Sequence, residues 1–487
     1  MNNIARISAI AIAMAMAALA SNAQKVQWHV TTEAKPWATT KSPKWAETPA
    51  ENAQLLVVTG DSAQVIDGIG GTFNEIGWDM LCQIPEEAKN QILKDLFSPE
   101  GSNFNYCRMP IGASDYAMNF YSLNDVIDDF EMINFSIDRD RHILMRYIKE
   151  AKAFRPDLKI WASPWSPPGW MKTNNHYASS YDKSTPNHNG LPRDKELELP
   201  TTGFKMQYGY LKAYALYFTK FVQEYGKEGI HIENICIQNE PCSNHIFPSC
   251  NWRPEDMAYF VGNFLGPKFE EEGIDTEIIF GTINRDNPEF SRIALNDPKA
   301  KRYFKGAGYQ WDGKGAIPYI NKEYPHLKMM HTEAECGNGS NDWGAAEHTW
   351  WQISHYLRNG ARCFTYWNMV LDDTGVSPWG WKQNSLISVN PKTKEVVYHP
   401  EFYLMRHLAH NVQPGAYRLV IGDNSEADAL AFRNPDGTIA VIAVNRQNEP
   451  KTVAIQVEGK VLNIELQPKS FNTLQFGENP LSKTYKN

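Results

Sequence analysis

Eight short apolar segments alternate with amphipathic segments over most of the chain. These apolar segments are Ile66 to Thr72, Tyr106 to Pro110, Lys159 to Ser163, Ile232 to Gln238, Glu277 to Thr282, Gly306 to Tyr309, Lys328 to Glu333 and Cys363 to Trp367. Between them, apolar residues recur at helical spacing, as in 143–151 and 214–222. Strands that alternate with amphipathic helices indicate βαβ units and a parallel sheet. Eight repeats over this length predict an α/β fold, a (β/α)8 barrel rather than an open sheet.

The pattern changes near Pro414. Short alternating segments follow from Ala429 onward, and Asn434-Pro435-Asp436-Gly437 has the composition of a hairpin turn. The early segment Val26 to Val58 has a similar character. We therefore expect an antiparallel β-sandwich side domain that is discontinuous in sequence, with 24–65 joining 406–487 and the catalytic barrel occupying 66–405.

Residues 1–23 have the pattern of a cleaved signal peptide. Arg6 provides a positive charge, Ile7 to Ala20 is apolar apart from Ser8, and Ser21-Asn22-Ala23 is a small-x-small cleavage site. No later segment approaches the roughly 20 apolar residues of a membrane helix. We expect an exported protein, periplasmic or secreted, with no integral membrane segment in the mature chain.

Charge and composition limit the kinds of molecule that the protein is expected to bind. The formal net charge of −8 argues against nucleic acid or an anionic membrane surface. Aromatic residues form 12% of the chain and include 15 Trp, which suits a core and also a cleft where sugar rings stack on indole. No metal-ligand spacing is visible, so we expect neither a metal nor a cofactor. Cys242 and Cys250 flank one loop, and the sequence leaves open whether they form a disulfide.

Two of the predicted strands end in a carboxylate. Glu240 closes the segment Ile235 to Pro241, and Glu333 lies within Met329 to Cys336. The carboxyl ends of barrel strands form the functional face, so both acids are expected at one pocket. Two facing carboxylates are the minimum equipment for splitting a glycosidic bond. The competing interpretation, that each glutamate caps a helix or pairs with a lysine, is weakened at Glu240 by the flanking Asn239 and Pro241.

Other motifs at the strand ends appear in a specific order. They are Asp67-Gly68-Ile69-Gly70-Gly71, Arg108-Met109-Pro110, Ala162-Ser163-Pro164-Trp165, Asn239-Glu240-Pro241, Thr332-Glu333 and Tyr366-Trp367-Asn368. In this order the chain resembles glycoside hydrolase family 30, which includes glucosylceramidases, β-1,6-glucanases and related xylanases. The resemblance covers nearly the whole chain after the signal peptide.

The resemblance implies a role for each matching residue. It makes Glu240 the general acid/base and Glu333 the nucleophile, with Glu335, on the same strand face, as a competitor that we interpret as structural. Arg108 is expected to orient Glu333 and hold it ionised. The predicted substrate-binding residues are Asp115, Trp165, Asn239, Tyr309, Trp311 and Trp367.

Two local features of this predicted site need a test. Pro164 and Pro167 flank Trp165 and are expected to limit its burial. Gln310-Trp311-Asp312 stands where relatives often carry His-Trp-Tyr, so the partner of the nucleophile is left open. Trp170, Trp379 and Trp381 are further candidate sugar platforms, although packing explains the last two equally well.

The predicted function is that of a retaining β-glycoside hydrolase with two-glutamate double displacement, acting on β-1,6-glucan. In this scheme the negative charge of Glu333 raises the pKa of Glu240 and keeps its proton available. The alternatives are a glucosylceramidase or an exo-acting β-glucosidase. A non-catalytic carbohydrate-binding protein is a third hypothesis, and the presence of both Glu240 and Glu333 argues against it.

Overall fold

A computed structural model of the chain describes residues 26–422 and 428–477, and the predicted signal peptide lies outside them. The chain folds into two compact units. One runs from Gln64 to Gly415, and the other joins 26–63 with 416–422 and 428–477. The helix Pro400–Ala409 runs through the predicted boundary at 405, so the unit that holds the barrel extends further than the sequence indicated.

The larger unit is a barrel of parallel strands. Its strands are, in order, Gly68–Thr72, Tyr106–Pro110, Lys159–Ser163, Ile232–Cys236, Glu277–Ile283, Phe304–Gln310, Lys328–Glu333 and Cys363–Asn368. Each of the first six strands pairs with the strand that follows it in sequence, and the eighth pairs with the first. A single bridge between Met329 and Ala361 links the seventh strand to the start of the eighth. This ring confirms the predicted (β/α)8 barrel.

Helices follow the barrel strands on the outside. Their bounds are Glu75–Cys82, Glu86–Phe97, Asp138–His142, Leu144–Phe154, Tyr208–Lys227, Pro254–Phe260, Gly266–Glu271, Pro288–Leu295, Ile317–Glu323, Trp343–Arg358 and Pro400–Ala409. Side-chain caps fix where some of them begin, since Asn74 accepts from the N–H of Gly77 and Asp342 from that of Ala345. The first barrel strand needs glycine, because a Cβ at Gly70 would lie 2.4 Å from the carbonyl oxygen of Tyr106.

The second unit is a curled sheet with its own apolar core. Its strands are Gln27–Thr32, Lys35–Thr40, Trp45–Ala46, Gln54–Val65, Tyr417–Gly422, Ala429–Arg433, Ile439–Asn445, Lys451–Val457, Lys460–Leu466 and Ser470–Phe476. The segment that precedes the barrel therefore belongs to this sheet. One pairing departs from the antiparallel expectation: Gln54–Val65 runs parallel to Lys451–Val457. No hairpin joins these two strands, because the whole barrel lies between them in sequence.

Smaller features complete the barrel unit. Val370–Asp372, Ile387–Val389 and Val396–Tyr398 form a short sheet after the eighth barrel strand. Cys242 and Cys250 are free thiols, so the disulfide left open by the sequence is not formed in this structure.

A buried acid in the last barrel helix makes stability depend on pH. Glu401 accepts from Thr349 and Asn384, and burial raises its pKa from 4.5 to about 7. Because the folded state favours the neutral form, this stabilising contribution is complete below about pH 4.5 and is lost as the pH rises through about 7. Glu401→Gln should therefore raise Tm by about 2–5 °C at pH 8 and by less than about 1 °C at pH 5.

Differential scanning fluorimetry across this pH range is the measurement. Glu395→Gln, at an exposed position, is the matched control and should change Tm little at either pH. An equal effect of Glu401→Gln at both pH values would mean that Glu401 stays ionised in the folded protein.

Candidate active site

A pocket opens at the carboxyl ends of the barrel strands. It has a volume of about 220 Å³ and is lined by Asp115, Trp165, Asn239, Glu240, Ser243, His245, Phe247, Asn284, Trp311, Asp312, Glu333, Trp381 and Gln383. The two predicted catalytic glutamates therefore face the same cavity. This is the face on which barrel enzymes carry their active sites.

The chain turns sharply as it leaves the fourth barrel strand. Glu240 has a φ of +48°, in the left-handed region that a residue with a side chain rarely adopts. The hydrogen bonds of the preceding residues hold it there: the N–H of Asn239 donates to Pro164 O over 2.7 Å, and that of Thr282 donates to Gln238 O over 2.7 Å. Such strain persists only where surrounding contacts fix it, and it aims the carboxylate of Glu240 into the pocket.

Arg108 lies beneath the pocket and is fully buried. Its Nη1 donates to Glu333 Oε2 over 2.6 Å, and its Nη2 donates to Asn239 Oδ1 over 2.8 Å. The guanidinium also bonds Ser163 and lies 4.3 Å from the ring centre of Trp165. Arg108 therefore holds Glu333 by one carboxylate oxygen and links it to Asn239.

Gln310 bridges the two glutamates. Its Nε2 lies 3.2 Å from Glu240 Oε1 and 3.2 Å from Glu333 Oε2. The hydroxyl of Thr332 donates to Gln310 Oε1 over 2.9 Å, which fixes the orientation of the amide. The sequence marked Gln310 only as a departure from the expected motif, and the structure makes it the direct partner of both acids.

The electrostatics of the two acids differ from the sequence-based prediction. Burial, together with the nearby charge of Glu240, raises the pKa of Glu333 to about 7, and Arg108 only opposes this rise. Burial also acts to raise the pKa of Glu240, but hydrogen bonds from His245 and Gln310 outweigh it, so this pKa is lowered. The sequence-based prediction did not include His245, whose hydrogen bond favours the ionised form of Glu240 in the free protein.

The inner end of the pocket is aromatic and contains one more acid. Trp165 and Trp367 stack with ring centres 5.0 Å apart, and both are buried. Trp165 is only 2% exposed, so the flanking prolines do not limit its burial as predicted. Asp115 is also buried, and its Oδ1 has no hydrogen-bond partner among the described residues. Burial, Glu333 and Glu240 all raise the pKa of Asp115.

Not every predicted residue lines the pocket. Trp367, predicted to bind substrate, is not among the lining residues and instead stacks on Trp165, which is. Tyr309 points out of the barrel, where its hydroxyl donates to Ser291 Oγ over 2.9 Å, so its predicted substrate-binding role is wrong. Glu335 bonds Lys314 and His348 instead of facing the cleft. Although burial opposes them, these bonds lower the pKa of Glu335 to about 2, which agrees with a structural role.

Trp311 lies where the sequence placed it, at the pocket, with its Nε1 donating to Glu333 Oε1 over 3.4 Å. Several lining residues were missed by the sequence reasoning: Ser243, His245, Phe247, Asn284, Asp312 and Gln383. Their types are common in loops, and no local pattern singled them out. Trp381 was noticed only as one of two tryptophans explained equally well by packing.

A family comparison decides the class of this site. The model of the glycosyl hydrolase family 30 TIM-barrel domain matches residues 66–412, and that of the family 30 beta sandwich domain matches residues 415–474. The chain belongs to glycosyl hydrolase family 30. The resemblance in the motifs is thereby confirmed, and the protein is a glycoside hydrolase with a barrel and a β-sandwich domain.

The chain is similar to curated proteins that are named for two different activities. Putative glucosylceramidase 1 of Caenorhabditis elegans is 31% identical over 427 residues, which are 82% of this chain and 78% of the relative. Endo-1,6-beta-D-glucanase neg1 of Aspergillus fumigatus is 28% identical over 421 residues, which are 82% of this chain and 80% of the relative. Both relatives are thus matched over most of their length.

Solved structures share the fold. SrfJ from Salmonella typhimurium superposes with a TM-score of 0.82 at 23% identity, covering 93% of this chain and 100% of that one. The endo-beta1,6-glucanase BT3312 gives 0.77 at 22% identity with the same coverage. Within residues 26–422 and 428–477, no helix is long and apolar enough to cross a bilayer. The same residues contain no group of three or more His, Cys, Asp and Glu side chains able to hold a metal ion.

Proposed function

We propose that the protein is a retaining β-glycoside hydrolase that cleaves β-1,6-linked glucan, with Glu333 as nucleophile and Glu240 as acid/base. The observation that supports this most strongly is the shared contact of both acids with Gln310 Nε2, at 3.2 Å each. One amide nitrogen within 3.2 Å of both acids holds their carboxylates close together, which is compatible with the about 5–5.5 Å between the carboxyl groups of retaining enzymes. This supports direct attack by a carboxylate, because a water would not fit between it and the anomeric carbon.

The reaction proceeds in two steps. Glu333 forms a bond to the anomeric carbon, the glycosidic C–O bond breaks, and Glu240 gives its proton to the leaving oxygen. Glu240, now a carboxylate, then takes a proton from water, which attacks the anomeric carbon and releases Glu333. Arg108 stabilises Glu333 whenever it carries charge.

Asn239 and Asp115 are assigned to the sugar in the inner end of the pocket. Asn239 Oδ1 accepts from Arg108, Thr282 and Gln310, which leaves its Nδ2 to donate to the 2-hydroxyl. Bonds to that hydroxyl strengthen in the transition state. Asp115 Oδ1, buried and without a partner among the described residues, suits another sugar hydroxyl.

The outer half of the pocket supports a sugar as the leaving group. Glu240 protonates the leaving oxygen, so that group lies beside Glu240, where His245, Phe247 and Trp381 line the cavity. Trp381 is 42% exposed, and the loop before it is held by Tyr116, whose hydroxyl lies 2.9 Å from Gly375 O and 3.2 Å from Trp381 O. A fixed, half-exposed indole offers a flat face on which a pyranose stacks.

A glucosylceramidase is the second candidate, with an exo-acting β-glucosidase as its close variant. It is favoured by the Caenorhabditis elegans relatives described as putative glucosylceramidases, of which the one cited above is 31% identical. The same inner pocket would take the glucose in either case. The two candidates differ in whether the group on Trp381 is a sugar or a lipid.

We further propose that the enzyme acts outside the cytoplasm. Arg6, the apolar segment from Ile7 to Ala20 and the small residues before Gln24 support export. A polymeric glucan substrate is consistent with action outside the cell.

Azide separates the roles of the two acids. In Glu240→Ala an activated aryl β-glucoside still glycosylates Glu333, and azide, which needs no base, should restore turnover by roughly tenfold or more and give the β-glycosyl azide. In Glu333→Ala azide should enter the space left by the side chain and give the α-glycosyl azide after one inversion. NMR of the two products is the measurement.

Glu335→Ala is the matched control, two residues from Glu333 and bonded away from the pocket. It should keep the hydrolysis of the wild type. An α-azide product from Glu335→Ala, or a β product from Glu333→Ala, would contradict the assignment of the nucleophile.

Trp381→Ala tests the class of leaving group. It should lower kcat/KM about 5- to 10-fold on β-1,6-gluco-oligosaccharides, because the stacking face is lost. Hydrolysis of β-glucosyl fluoride, whose leaving group is a single atom, should not change.

Trp351→Ala is the control for this test, since Trp351 is 39% exposed and lies on the helix Trp343–Arg358. It should leave both substrates unaffected. Wild-type enzyme that hydrolyses glucosylceramide in detergent micelles much faster than β-1,6-gluco-oligosaccharides would replace the proposed substrate with the second candidate.

A further inference from the structure

His245 contacts the proposed acid/base directly. Its Nε2 lies 2.7 Å from Glu240 Oε2, and its side chain is 27% exposed at the pocket. The imidazole stacks on Phe247 with ring centres 4.4 Å apart and an interplanar angle of 9°. The other carboxylate oxygen of Glu240 contacts Gln310, so the two neighbours hold opposite ends of the carboxylate.

The loop that carries His245 is fixed from several sides. The N–H groups of Ser179 and Ser180 both donate to His245 O, over 3.0 and 2.9 Å. The N–H of His245 donates to Ser249 Oγ over 3.1 Å, and the buried ammonium of Lys172 donates to Ser249 O over 2.6 Å. The imidazole is therefore preset against Glu240, and its position does not depend on a bound substrate.

We propose that His245 is a positioning residue for Glu240, which holds the carboxylate by one oxygen and stabilises its ionised form for the base step of the reaction. The inference rests on the proposed role of Glu240. Its physical reason is the crowding of acids: a negative charge on Glu240 raises the pKa values of Glu333, on the seventh strand, and of Asp115, in the loop after the second, so an ionised Glu240 needs a donor of its own.

The other groups that face Glu240 do not replace His245. Arg108, on the second strand, is the nearby cation, but it is bonded to Glu333 and Asn239. Cys242 lies on the same loop as His245, and burial raises the pKa of its thiol to about 12, so it stays neutral. Within the part of the chain that the structure describes, the side-chain donors to the Glu240 carboxylate are thus Gln310 on one oxygen and an N–H of His245 on the other.

The proton balance of the reaction is unchanged by this role. In the first step Glu240 loses its proton to the leaving oxygen, and the imidazole N–H bonds the carboxylate that forms. In the second step Glu240 accepts a proton from water, and His245 ends as it began. Removing the imidazole should raise the pKa of Glu240, because burial and negative neighbours then act with less opposition.

The variant His245→Phe tests this directly. In the pH profile of kcat/KM for an aryl β-glucoside, the decrease at alkaline pH reports the pKa of the catalytic acid in the free enzyme. In this variant that decrease should move to a higher pH by about one unit. His245→Gln keeps a neutral N–H donor at a similar reach and should give an intermediate shift. His348→Phe is the matched control, since His348 forms a similar pair with Glu335 at 2.9 Å outside the pocket, and it should leave the profile unchanged.

A second readout needs no turnover. With glutamate labelled by ¹³C at Cδ, and the Glu240 signal assigned by its loss in Glu240→Gln, the titration of Glu240 should move to higher pH in His245→Phe. If the wild type hydrolyses no β-glucoside, the proposed function fails while this titration still tests the contact. Unchanged titration and unchanged limbs in both His245 variants, with only KM raised, would overturn the proposal and make His245 a contact of the leaving group.

Discussion

The buried ion pair between Arg108 and Glu333 is the interaction on which the rest of the site depends. Two charges removed from water cost several kcal/mol each unless their hydrogen bonds are satisfied. Here the guanidinium bonds Glu333, Thr332 O, Asn239 and Ser163, and it lies against the face of Trp165. Arg108, on the second barrel strand, therefore connects residues on or just after the third, fourth and seventh strands. Loss of Arg108 would leave Glu333 buried without its counter-charge.

This arrangement places Glu240 and Glu333 at one pocket and gives them different hydrogen-bond partners. Glu333 bonds Arg108, Gln310 and Trp311, whereas Glu240 bonds Gln310 and His245. Interacting acids titrate together. The distribution of protons between Glu240 and Glu333 in the free enzyme is therefore not necessarily the one that the reaction requires. A sugar in the pocket would displace water from both carboxylates and present the leaving oxygen to Glu240. The protonation state that matters is therefore that of the complex.

The barrel, and the presence of Glu240 and Glu333 at one pocket, were predictable from the sequence because their signals are local. A carboxylate at the end of an apolar strand can be located from one short segment of sequence, and Glu240 and Glu333 were both found in this way. Tyr309 was assigned to the wrong face because successive side chains of a strand point to opposite faces of the sheet. In addition, the pairing of the sixth and seventh strands is irregular between Tyr309 and Gln310. His245 was missed because its contact with Glu240 arises from a loop conformation fixed by Ser179, Ser180 and Ser249, which no short motif encodes.

The assignment of Glu333 as the nucleophile is tested most directly by trapping the intermediate. The reagent is 2-deoxy-2-fluoro-β-glucosyl fluoride, in which the 2-fluorine slows both steps and the good leaving group favours accumulation of the glycosyl-enzyme. Intact mass followed by peptide sequencing locates the label. We expect one sugar per chain, bound to Glu333, and no label in Glu333→Gln. A label on Glu335 or Glu240, or turnover of this reagent without a covalent intermediate, would contradict the assignment.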